Sequence, residues 1–175
     1  TTIAILHTTI ARNTGGDGSG VYVTDYEGNY STVALTNTIL VSHSVGINVT
    51  GGNTVTVNGV LWHGTPITVS HSITAVVTVQ NQHAGDPAFA ADGYHLTASS
   101  AAIDAGVDAG VGTDLDLDLR PIGAGFDIGA DEFPLSGTAD PGTASTLTYV
   151  DDQGSPTTLA VPAGAVTEPT TILYA

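Results

Sequence analysis

The chain has 175 residues, enough for one sizeable core and a small appendage. Its 17 acidic residues face only Arg12, Arg120 and no lysine, a net charge of −15, which argues against nucleic acid or an anionic membrane as partner and favours a hard cation such as calcium. Cysteine is absent, which excludes a disulfide framework and Cys-ligated zinc, and methionine is absent too.

Gly, Thr, Val and Ala dominate, and no stretch alternates Leu or Ala with Glu and Lys at helical period, so the chain reads as all-β. No apolar run reaches the roughly 20 residues a bilayer span needs. No basic segment precedes an apolar one, so no signal peptide is expected, and a chain opening at Thr1 reads as processed or excised from something larger.

From Thr1 to about Gly64, short β-branched strands alternate with Gly, Asn and Ser turns. Ile10, Ile39 and Leu61 occupy comparable places, as do Val21 with Ile47 and Val33 with Val55. That spacing suits the coils of a solenoid, each a strand, turn, strand, turn unit stacked on the next. The expected strands are Ile3 to Leu6, Val21 to Thr24, Thr32 to Leu35, Thr38 to Val41, Gly46 to Val49, Val55 to Val57 and Val60 to Trp62. An antiparallel sandwich shows the same alternation, and the irregular repeat length favours a β-helix over it.

A further Val, Ile and Thr run covers Thr68 to Val79, and the texture changes at Asp86. The expected organisation is β-helix coils over 1–84, an acidic, loop-built cap over 85–133, a linker over 134–144, and a small β module or donated strand tail over 145–175. In the last unit, Thr146 to Val150 and Thr157 to Val161 flank Asp151, Asp152, Gln153 and Gly154, a hairpin signal, and Thr170 to Tyr174 makes one more strand.

The middle of the chain carries an ordered set of blocks. Gly85-Asp86-Pro87-Ala88-Phe89 is followed by Gly93-Tyr94-His95-Leu96 and by Ser100 to Gly106; Arg120-Pro121 and Asp127-Ile128-Gly129-Ala130-Asp131-Glu132-Phe133 complete it. This series resembles the carboxy-terminal signature of the choice-of-anchor Q group of bacterial surface proteins. The resemblance implies a right-handed parallel β-helix of the pectin-lyase-like group, secreted and attached to a cell surface. Where that family tends to read Asp, apolar, Asp, Gly, Asp, Pro before Arg-Pro, this chain has Asp114-Leu115-Asp116-Leu117-Asp118-Leu119, with leucine in the glycine's place.

Asp114, Asp116 and Asp118 are the candidate metal ligands. In a loop they could wrap calcium; the bland reading is a solvated acidic loop with Arg120 paired to one of them. An EF-hand is excluded, because Leu119 stands at the turn glycine and Gly125 at the closing glutamate. Asp104, Asp127 and Asp131 read as Asx-type structural caps, and Tyr94, Phe126 and Phe133 as the small core of the acidic segment. Trp62 reads as a partly buried solenoid residue, and the six histidines, with no HExxH and no close pair, mostly as surface residues.

Catalysis is disfavoured. Lysine is absent, Arg12 lies far from the acidic cluster, and residues 1–80 offer only Asp17, Asp25 and Glu27 as acids, all in turn-like stretches. The expected function is a non-enzymatic extracellular structural protein, a subunit of a surface filament or sheath. It would join head to tail, with Thr170, Thr171, Ile172, Leu173 and Tyr174 added to the next subunit's sheet. A monomeric adhesin or carbohydrate-binding stalk, with surface glycans as partners, is the alternative, and a polysaccharide lyase or hydrolase the remoter one.

Overall fold

The computed structural model describes residues 1–13, 15, 16, 18–150 and 156–174. The chain is all-β, and its first half is a parallel β-solenoid of about three turns. One sheet stacks four long strands in the order β1 (Thr2–Ala11), β3 (Thr32–Val41), β5 (Thr54–His63) and β7 (Val76–Ala84). The other stacks three short strands, β2 (Ser19–Val23), β4 (Val45–Val49) and β6 (Ile67–His71). No helix is long and apolar enough to cross a membrane among the described residues.

The register sets the repeat. Thr32 pairs with Thr54 and Thr54 with Val76, a spacing of 22 residues. Two of the sequence equivalences hold, Val21 with Ile47 and Val33 with Val55. Ile39 also pairs with Leu61, but Ile10 does not join them: Thr9 is the partner of Ile39, and Ile10 pairs with Leu40. The difference is one residue, and it moves Ile10 from the outer face to the inner one, because side chains alternate along a strand.

Pairs of strands expected to be separate are continuous. Each long strand turns at a single residue with positive φ: His7 (42°), Asn37 (51°), Gly59 (68°) and Asn81 (46°) occupy the same rung in successive coils. One left-handed residue reverses the alternation without ending the ladder, so Thr32 to Leu35 and Thr38 to Val41 become two arms of one strand.

That bend explains the two uninterrupted apolar runs. Val33, Leu35, Leu40, Val55, Val57, Val60 and Trp62 point inward with Val23, Ile47 and Val49. Ile39, Val41 and Leu61 point outward from the second arm and are equally buried, under Leu96, Ala102 and Ile128. A strand covered on both faces shows no alternation to read. Trp62 is 6% exposed, and Gly46 makes its room: a Cβ there would lie 2.5 Å from the indole ring.

The loop-built acidic segment is placed by this second apolar cluster. It packs along the solenoid's flank, on β1, β3 and β5, and among the described residues β7 is an edge strand paired to β5 alone. Asn37 clasps the two parts, its Nδ2 donating to the Val107 carbonyl at 2.6 Å and its Oδ1 accepting the Val107 N–H at 2.9 Å.

The stretch expected to be a linker contains β8 (Leu135–Ala139), which pairs antiparallel with β11 (Thr170–Tyr174). Between them, β9 (Ser145–Val150) pairs antiparallel with β10 (Pro156–Val161). The turn expected at Asp151 to Gly154 lies outside the described residues.

Candidate functional site

Short polar side chains hold the flank together by accepting backbone N–H groups that no strand or helix satisfies. Asp104 Oδ1 accepts from Ala124 and Gly125, both at 2.9 Å. Asp127 accepts from Asp104 and Phe133, both at 2.7 Å, and Asp131 Oδ2 accepts from Leu96 at 2.6 Å. The three aspartates expected as structural caps are thus all acceptors for loop backbone.

At the centre lies the Arg120–Glu132 ion pair, 2.7 Å long with neither side chain exposed. Glu132 also accepts the N–H groups of Ile122 and Asp127, and Arg120 donates to the carbonyls of Gly129 and Ala130. The bland reading paired Arg120 with one of the three loop aspartates; the structure corrects this, since the guanidinium is buried against Glu132 instead. Burial, then the neighbouring Glu132, pushes Asp127 up to about 8. Asp127 is 0% exposed, so this perturbed carboxyl belongs to a structural network that no substrate reaches.

The structure does not bring Asp114, Asp116 and Asp118 together as ligands; the cluster it forms from metal-binding residue types, among those described, is His95, Asp116 and Asp131. Asp114 spends its carboxylate on backbone, accepting Asp116 N–H at 2.8 Å, Asp118 N–H at 2.9 Å and Glu132 N–H at 3.0 Å. Asp118 is not part of that cluster, and its carboxyl is raised by partial burial and by the charges of Asp114 and Asp116.

His95 sits between three carboxylates. Its Nδ1 is 2.7 Å from Asp92 Oδ2, and its Nε2 is 2.8 Å from Asp116 Oδ2 and 4.0 Å from Asp131 Oδ1. The Asp92 hydrogen bond dominates in raising His95 to about 9, against some desolvation, and the same bond lowers Asp92 to about 2. The Tyr94 ring lies beside the imidazole, centroids 4.1 Å apart.

Beside this cluster runs a polar groove of about 400 Å³, lined by Arg12, Ser42, His63, Asp86 and Asp92 among others. Compared with known proteins, the chain matches no family model, no curated protein and no solved structure. The likeness to the β-helix group rests on the parallel solenoid itself.

Sequence reasoning passed over His95, Glu132 and His7. Asp92-Gly93-Tyr94-His95 held a usable signal, since an Asp three residues before a His can hold both its backbone and its ring, as here. The histidines are not all on the surface: His7 is 8% and His43 2% exposed. Of the aromatics expected to form the flank's core, Phe133 packs there with Phe89 and Ile103. Tyr94 instead covers His95, and Phe126 lies against His7 with centroids 6.1 Å apart.

Proposed function

We propose that this chain is a non-enzymatic extracellular structural protein whose solenoid stacks end to end with further copies into a surface filament or sheath. The carrying observation is a single rung of the core. Val33 and Val55 are buried at 4% and 0%, whereas Ile3, their partner at one end of the stack, is 45% exposed despite pointing inward. At the other end Ile67, the rung partner of Val45, is 50% exposed.

The four strands bordering these ends, β1, β2, β6 and β7, contain no Asp, Glu, Lys or Arg, in a chain of net charge −15. Charged side chains are a usual guard against edge pairing. The long edges β1 and β7 also share the bend, at His7 and Asn81, so one edge fits the other with the ladder in step. A contact between two different ends of one chain propagates without closing. Because β11 is paired with β8, the solenoid ends are the better assembly surface than a donated Thr170–Tyr174 strand. The choice-of-anchor Q-like blocks support a bacterial cell-surface location.

The test is negative-stain electron microscopy with light scattering of the purified chain over a range of concentrations, beside Val77→Glu. Val77 continues the Ile3 rung at the opposite end. Long rods in the wild type and short ones in the variant support the reading; uniform short rods at every concentration overturn it. A second reading, a monomeric glycan-binding stalk, is favoured by the polar groove, where Arg12 makes no ion pair among the described residues. Loss of acidic-glycan binding on Arg12→Ala would support it.

A further inference from the structure

His95, Asp116 and Asp131 come from three separate stretches of the flank. His95 closes a short hairpin-like turn whose ends meet in the Phe89–Leu96 bridge; Asp116 lies in the loop closed by the Thr113–Leu119 bridge; Asp131 lies in the Gly- and Asp-rich terminal segment. Their donor atoms all lie within 4.8 Å of one another. A tetrahedral zinc ion with bonds of about 2.0–2.1 Å sets its ligand atoms about 3.3 Å apart. The distances from His95 Nε2, 2.8 Å to Asp116 and 4.0 Å to Asp131, bracket that value.

Each ligand is also held from behind. Asp92 takes the Nδ1 side of His95, which leaves Nε2 facing the two carboxylates, the arrangement metal-binding imidazoles commonly use. Asp114 accepts the Asp116 N–H and so fixes where that residue starts. Asp131 accepts the Leu96 N–H through Oδ2. Its other oxygen, Oδ1, faces His95 Nε2 at 4.0 Å, on a side chain that is only 4% exposed.

We propose that His95, Asp116 and Asp131 bind a first-row divalent transition-metal ion, zinc by preference, which staples the three stretches of the flank together. The imidazole selects this class over calcium, which takes oxygen ligands. The ion replaces the proton on His95 Nε2, the proton leaves to solvent, and water completes the coordination. A flank with no helix and no disulfide gains a cross-link between its loops, and the expected calcium gives way to a different ion at a site sharing only Asp116.

The experiment is calorimetric titration of the chelator-stripped full chain with zinc chloride, repeated with calcium chloride, with the thermal midpoint measured alongside. The wild type should bind one zinc ion saturably and gain about 3 °C or more. Asp116→Asn is the main variant, because among the described residues the Asp116 side chain hydrogen-bonds His95 alone, and the variant's thermal midpoint without metal should match the wild type's. It should weaken zinc at least tenfold, whereas Asp118→Asn should not. A cobalt(II)-loaded wild type should show the intense visible absorption of four-coordinate cobalt, lost in His95→Gln. No saturable zinc binding, equal affinity in Asp116→Asn, or tighter binding of calcium than of zinc would each overturn the proposal.

Discussion

Arg120 and Glu132 meet at 2.7 Å with both side chains wholly buried, the one such ion pair among the described residues. The Arg120–Pro121 peptide is cis, and the pair beside it ties the Gly129–Ala130 carbonyls to the Ile122 and Asp127 amides. Removing one partner strands a buried charge. Arg120→Met should therefore destabilise the flank by about 3–5 kcal/mol, and the double variant Arg120→Met, Glu132→Leu by clearly less than the two single changes together. Urea unfolding, with amide exchange at Leu96 and Ile128 reporting on the flank, checks both.

Asn37 gives the solenoid and the flank a common hinge pin. Asn37→Gly keeps the left-handed backbone at φ 51° but removes both hydrogen bonds to Val107. At about 1 kcal/mol per net hydrogen bond, and more for groups left buried, the expected cost is about 2–4 kcal/mol. Exchange of the Val107 amide should speed up while that of Val55 and Val57 in the inner core stays slow.

His7 should make the protein acid-sensitive. Its Nε2 faces the donating Asn37 Nδ2 at 3.0 Å, which assigns the ring as neutral. Burial, then Arg120, lowers it to about 4. Between pH 6.5 and 4 the unfolded chain takes up a proton that the folded one refuses, so this residue's contribution falls as pH falls, by on the order of 3 kcal/mol in all. Asp127, raised to about 8, acts in the opposite sense and adds stability as pH drops from 8 toward 4. The comparison of wild type with His7→Asn isolates the histidine: Asn suits the same bend, as at Asn37 and Asn81, and the variant's urea midpoint should hold up better below pH 6.

Leu117 has φ 76° and is 78% exposed. A left-handed leucine costs about 1–2 kcal/mol and glycine's extra unfolded freedom about 0.5–1 kcal/mol. Leu117→Gly should therefore stabilise the loop by about 0.5–1 kcal/mol, read as a raised thermal midpoint, whereas Leu117→Ala should give no such gain. The backbone conformation the glycine would permit is thus present without it, held by the Asp114 carboxylate on the Asp116 and Asp118 amides.

Composition and alternation were enough to read an all-β solenoid, and the pairs Val33 with Val55 and Val21 with Ile47 were legible because coils repeat the same inward residues. The placement of Ile10 was not, since a single left-handed residue at His7 inverts the alternation and nothing in the string marks a histidine as a bend. β8 was hidden for a related reason: Leu135-Ser-Gly-Thr-Ala139 is weak as an isolated strand and forms against β11, some thirty residues on.

The sequence by itself determined the fold class, the acidic character and which segment carries the polar chemistry, because these follow from local pattern and residue type. Only the tertiary structure decided that Glu132 neutralises Arg120, that the acidic segment covers the flank and leaves the β7 edge bare, and that Asp116 belongs with His95 and Asp131. Those relations join residues from separate loops, and in loops held by side-chain acceptors the pairing is set by how the backbone folds back, with no periodicity to announce it.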